Sequence, residues 1–153
     1  MATNSAPCYG KQYIRYAETW EAATDTQGGA IGTVEIGELR AVSYATWAGP
    51  NVAAAGDAFT VAPGTIVGIN QAYMPTVLAQ PYTARQLTVA TSGLLLVEVD
   101  SASAVISLNT QLQINLKGQA TSAGTPVTND GTTPLIRENV DIGGRRLVLV
   151  SFA

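Results

Sequence analysis

The chain has 153 residues, a formal net charge of −3, 12% charged residues, one cysteine and no histidine. That length suits a single domain able to bury most of its surface without a metal or disulfide. Triads built on histidine are excluded, the usual proton shuttle near neutral pH is missing, and the shortage of basic residues argues against nucleic-acid binding through a positive field.

The N-terminus, Met1-Ala2-Thr3-Asn4, lacks the basic and apolar regions of a signal peptide, so export through that route is not expected. Cys8 has no partner in the chain and is expected to be inert. Tyr9, Tyr13, Tyr16 and Trp20 crowd the first twenty residues. Tyr and Trp are the usual anchors of protein interfaces. Two readings stand side by side. Residues 1–30 form an extended N-terminal arm that docks on a neighbouring subunit or a larger surface, or they begin with a strand packed on the chain's own sheet. Residues 16–23 are the one helix candidate, with strand or coil as alternatives.

A single β domain is expected over residues 31–153. Gly32–Gly37 and Leu39–Tyr44 read as strands, as do Asp57–Val61 and Thr65–Ile69, split by Pro63-Gly64. Asp57 is expected to serve as a turn residue. Trp47, Tyr73 and Tyr82 lie near prolines and are expected to plug the core or anchor loops, with stacking on sugar rings as the alternative. Gln86–Ala90 alternates apolar and polar residues, the period of a half-buried strand. After a turn signal at Thr91-Ser92-Gly93 comes Gly93–Val99, apolar on both faces at first and then alternating, which reads as a central strand buried on both sides and holds the longest apolar stretch, around Leu94–Val97. It is far too short for a membrane-spanning helix, which needs about 20 apolar residues.

Glu98 and Asp100 form a carboxylate pair at spacing two, the pattern of an acid/base or calcium site. The expectation here is instead a solvated strand end. Glu35 and Glu38 flank Gly37 in the same way. Gln111–Leu116 alternates strictly, with Leu112, Ile114 and Leu116 on one face. Turn signals follow at Lys117-Gly118, Ala123-Gly124, Asn129-Asp130-Gly131 and Gly143-Gly144, where glycine supplies the positive φ that tight turns require. Arg145–Phe152 is a closing strand, its two leading arginines expected to protect a sheet edge. Residues 55–60 and 123–128 share an Ala-Gly-x-x-apolar-Thr pattern, a faint internal echo that chance also accounts for. The fold class expected is therefore all-β, a compact barrel, β-tulip-like or sandwich domain. No catalytic constellation, cofactor motif or metal site is legible, and a non-enzymatic structural part is expected.

Residues 54–61 (Ala-Ala-Gly-Asp-Ala-Phe-Thr-Val), 65–69, 87–99 and 122–131 resemble, as a pattern of turns and strands, the head decoration or cement proteins of tailed bacteriophages. The similarity covers roughly residues 50–153. It implies a β-tulip or barrel-like fold, a homo-trimer, the major capsid protein as partner, and a place on the outer surface of the virion head after synthesis in the host cytoplasm. It implies no catalytic residue, no nucleic-acid partner and no membrane. The N-terminal fifty residues exceed the short members of that family and point either to the capsid-binding arm or to a different structural role; under the arm reading, removal of residues 1–20 should abolish capsid binding and leave the β domain folded. Two alternatives remain: another virion component, in the tail or at the head–tail junction, and a carbohydrate-binding β-sandwich with an exposed aromatic face.

Overall fold

The computed structural model describes residues 11–22, 38–44, 51–53, 67–71, 86–115, 117–129 and 131–152. Within them the chain is all-β, as expected, with no helix. The strands are β1 (Tyr13–Ala22), β2 (Ala41–Tyr44), β3 (Asn51–Ala53), β4 (Val67–Asn70), β5 (Gln86–Glu98), β6 (Gln113–Ile114), β7 (Thr125–Pro126), β8 (Leu135–Ile142) and β9 (Arg145–Phe152). Seven of them form one sheet in the order β1-β3-β2-β4-β5-β9-β8, and β6 and β7 pair separately. Because β1 also pairs with β5, the ladder β1-β3-β2-β4-β5 returns to β1 as a hydrogen-bonded circuit, with β9 and β8 extending from it.

β5 organises the sheet. The sequence suggests two strands separated by a turn at Thr91-Ser92-Gly93, but residues 86–98 run as one strand. The expected turn is the point where β5 changes neighbours: Ala90 and Val89 pair with β4, and from Gly93 onward the partner is β9. Gly93 adopts φ +121°, and a Cβ there would collide with the Tyr13 carbonyl oxygen and stand 2.8 Å from the Arg15 nitrogen. Glycine is therefore required by the close approach of β1, not by a chain reversal. Leu95, Leu96 and Val97 are all fully buried, as expected of a strand covered on both faces.

β1 pairs antiparallel with β5 from Tyr13↔Leu94 to Glu21↔Gln86. Of the stretch expected to form an arm, residues 13–22 are thus a strand of the main sheet, and the helix alternative for residues 16–23 is replaced by that strand. Deleting residues 1–20 would strip a paired edge from β5, so truncation is not a neutral probe of this segment. The expected strands at 32–37 and 57–61, the echo segment 55–60, Cys8, Tyr9, Glu35, Trp47, Tyr73 and Tyr82 lie outside the described residues.

The hairpin β8–β9 turns through Gly143 and Gly144, with φ +61° and +80°. Both are positive, as a two-residue hairpin of matching twist demands, and the Asp141 Oδ1 accepts a 3.0 Å hydrogen bond from the Gly144 N–H. Arg145 and Arg146 open a strand that lies between β5 and β8, not at a sheet edge, so edge protection is not their role. The alternation expected over 111–116 is visible in burial, with Leu112 and Ile114 buried between half-exposed Gln111, Gln113 and Asn115, although only Gln113 and Ile114 pair as strand. These side chains join Leu95, Val97, Val148, Val150, Ile136 and Val127 in one core.

The core is pinned by a buried amide. Asn129, 6% exposed, accepts from the Val67 N–H at 3.0 Å and donates to the Thr91 carbonyl at 3.3 Å. The turn expected at 129–131 is present: Asn129 and Thr132 exchange backbone hydrogen bonds of 2.8 and 3.0 Å across Gly131 at φ +82°. That turn delivers the amide to the seam between β4 and β5.

Candidate functional site: a groove across four strands

Register places one side chain from each of four strands in a row. Tyr13 stands opposite Leu94, Leu94 opposite Ser151, and Ser151 opposite Leu135. Directly opposed residues share a face, so β1, β5, β9 and β8 together present Tyr13, Leu94, Ser151 and Leu135 to one side. They line an open groove of about 520 Å³ together with Arg15, Gly93, Thr133, Arg137 and Phe152.

Tyr13 is 65% exposed, Tyr16 57%, Ile14 42% and Leu94 36%. Consecutive residues of a strand point to opposite faces, so β1 leaves large apolar side chains uncovered on both sides. Of the four aromatic residues expected to form an interface, the structure therefore brings Tyr13 to the groove and exposes Tyr16 beside it. Trp20 stands opposite Leu87 further along β1, and Tyr9 lies outside the described residues.

Both rims of the groove carry a bulge. In β1, Ile14 pairs with Gly93 and Tyr16 with Ser92, leaving Arg15 as the extra residue. In β8, Ile136 pairs with Val150 and Glu138 with Leu149, leaving Arg137 as the extra residue. A bulge bends its strand and re-aims the unpaired side chain. Arg137 Nε donates to Ser151 Oγ at 3.3 Å and its Nη1 to Asn109 Oδ1 at 3.1 Å. Alongside the row, an ion pair of 2.8 Å joins Lys11, just before β1, to Glu138 on β8. The sequence did not single out Arg15, Arg137 or Leu94, because nothing local marks them; pairing across four distant segments brings them together.

Further along the same face lies a charged network around Glu98. Its Oε2 accepts from Arg40 Nε and Gln119 Nε2, each at 3.0 Å, while Oε1 meets Arg145 Nη2 at 3.1 Å. Arg145 Nη1 also reaches Glu38 Oε1 at 2.9 Å. The solvated strand end expected at Glu98 is thus replaced by a mostly buried carboxylate between two guanidinium groups. Burial alone would raise its pKa. The hydrogen bonds from Gln119 and Arg40 and the field of both arginines outweigh that and hold it below the ordinary glutamate range.

Asp100 stands at an exposed turn, as expected. The Ala102 N–H and the Asn115 amide lower its pKa against a weaker desolvation. It is linked to Glu98 through Asn115 and Gln119, whose amides hydrogen-bond at 3.0 Å. Both carboxylates are held ionised, the opposite of what a general acid needs near neutral pH. Among the described residues, no group of three or more acidic, cysteine or histidine side chains is placed to hold a metal ion. Arg146, on the core face, donates to the carbonyls of Ser103 and Ala104 at 2.9 and 3.2 Å, fixing the loop that follows β5. The network and this clamp are structural devices that hold β9, β5 and the 98–120 segment in register. Among the described residues, the groove is the face that is left open.

No protein-family model, no curated protein and no solved structure matches this chain.

Proposed function

We propose that this chain is a capsid decoration protein of a tailed bacteriophage, a homo-trimeric cement that binds the outer surface of the assembled head and bridges copies of the major capsid protein. The observation that carries the proposal is the exposed apolar stretch of β1 and β5, with Tyr13, Ile14, Tyr16 and Leu94 presented by the β1–β5 ladder. Exposed tyrosines on a fixed scaffold are suited to a protein interface, since they bring large contact area with few rotamers to freeze. The all-β fold and the pattern of residues 50–153 support the same reading.

The mechanism is mass action. A ligand that binds only the assembled shell stabilises it by RT ln(1 + [L]/Kd), about 2.7 kcal/mol per site at a concentration 100-fold above Kd. Repetition around a symmetric lattice multiplies that gain.

The test mixes the purified chain with undecorated heads of the phage that encodes it and measures co-sedimentation and the temperature at which the heads release DNA. The expected result is saturable binding and a higher release temperature, both lost in Tyr13→Ala/Tyr16→Ala. Failure to bind heads rejects the proposal. The Tyr13 ring at an open groove also favours a second reading, a carbohydrate-binding module. Saturable binding to a glycan array together with no binding to heads would establish it.

A further inference from the structure

We propose that the groove is an acidic-peptide site: Arg15 and Arg137 receive the carboxylates of a short, extended, acidic segment of a partner protein, laid across β1, β5, β9 and β8. The inference rests on docking through this face and adds the chemistry of what docks there.

Of the described cations, Arg146 is held by the carbonyls of Ser103 and Ala104, and Lys117 stands exposed outside the groove. Arg40 and Arg145 are paired with Glu98 and Glu38, and Lys11 is paired with Glu138. Arg15 and Arg137 have no carboxylate partner among the described residues, and both line the same groove. Arg137 is held by two neutral acceptors, Ser151 Oγ and Asn109 Oδ1, which orient the guanidinium while leaving its Nη2 group and its charge for a ligand. Each arginine is the extra residue of a bulge, so each is aimed by an irregularity of its own strand. In a chain of net charge −3, two uncompensated arginines on opposite rims of one groove form a local reversal of sign.

Dimensions and floor select the ligand. Three strand-to-strand steps of about 4.8 Å separate β1 from β8, so the rims stand about 14 Å apart. An extended peptide advances about 3.3 Å per residue and crosses that span in about four residues. Leu94 and Leu135 form an apolar floor and Tyr13 an aromatic wall, which suit an apolar side chain between two acidic ones. Ser151, the polar group in the middle of the row, is already engaged by Arg137, so the floor offers little to the hydroxyl groups of a sugar.

The probe is a fluorescein-labelled heptapeptide, Gly-Glu-Val-Leu-Val-Glu-Gly, with a twin in which both Glu are Gln. Anisotropy is read with the full chain at low and high salt. The expected result is saturable binding of the acidic peptide, weakened at least tenfold by the Gln twin, by 300 mM salt and by Arg15→Gln/Arg137→Gln. Lys117→Gln, which alters an exposed cation outside the groove, should leave binding unchanged. A thermal melt of the double variant matching that of the parent confirms that the loss is local. Equal affinity for the two peptides, absence of saturable binding, or full affinity in the double variant overturns the proposal. So does tight binding of an oligogalacturonate where the peptide does not bind. The two proposals fail separately: heads bound equally well by the double variant reject the acidic-peptide site alone, whereas peptide binding without head binding rejects the decoration role alone.

Discussion

Replacing Glu98 with Gln keeps the shape of the side chain and one acceptor oxygen but removes the charge that Arg40 and Arg145 share. Glu98 is 19% exposed by side chain, and its partners are 25% and 29% exposed. A hydrogen bond to a charged group contributes about 1.5–3 kcal/mol, whereas a fully exposed pair contributes about 0–1 kcal/mol. Glu98 lies between these limits, and Arg145 keeps Glu38 as a second partner, so the expected loss is about 2 kcal/mol at pH 7. For a chain of this size that lowers Tm by about 4–8 °C. The pH dependence has a definite sign. The folded-state pKa is depressed, so the unfolded chain binds the proton more readily, and the stabilisation is complete above the ordinary glutamate value of 4.5 and lost as pH falls through the lower folded-state value. Urea unfolding of the parent and Glu98→Gln between pH 7.5 and pH 3 should show a gap that is constant near neutrality and narrows in acid, as the parent carboxyl takes up its proton. A gap below about 0.5 kcal/mol at pH 7, or one that persists unchanged at pH 3, would refute the network as a source of stability.

Two further outcomes follow from single atoms. Asn129→Ala leaves the buried Val67 N–H and the Thr91 carbonyl without their side-chain partner. At about 1–3 kcal/mol per unsatisfied group, urea unfolding should show a loss of about 2–4 kcal/mol; a loss under 1 kcal/mol would mean that another group takes over both bonds. Gly93→Ala places a methyl against the Tyr13 carbonyl at a φ of +121°. It should loosen β1 selectively, so hydrogen exchange should report lost protection at residues 13–17 while β8 and β9 stay protected. Uniform loss across the sheet would contradict a local clash.

The sequence is legible where alternation is unbroken. Gln111–Asn115 buries Leu112 and Ile114 as its period of two requires, and Leu95–Val97 is apolar throughout because both of its faces are covered. β8 escaped notice for a definite reason. Its sequence, Leu-Ile-Arg-Glu-Asn-Val-Asp-Ile, spaces Ile136, Val140 and Ile142 evenly but sets Leu135 beside Ile136 and Glu138 among the apolar positions, so its alternation is broken. The extra residue Arg137 sets Ile136 on the face of Val150 and Val140 on that of Leu147, and all four are buried. Glu98 was legible as an acidic residue but not as a buried one, since its three partners come from residues 40, 119 and 145.

The same irregularities that obscure the sequence build the groove. A regular β1 would place every residue in register with β5, and a regular β8 would do the same with β9. In such a sheet the arginines at 15 and 137 would each be one more ladder position with an assigned neighbour. The extra residue at each rim frees one arginine from the ladder, and Gly93 allows the first bulge to press against β5 without a side chain in between. Bulges lower local ladder regularity, and a fold has no stability reason to carry one at each rim of a single row. A binding face does have such a reason, because it needs charged side chains aimed inward from both ends of an apolar floor. Straightening β1 by deleting Ile14, which keeps Arg15 but returns it to the ladder opposite Gly93, would test this coupling between irregularity and binding: the sheet should survive and the groove should lose its affinity for carboxylates.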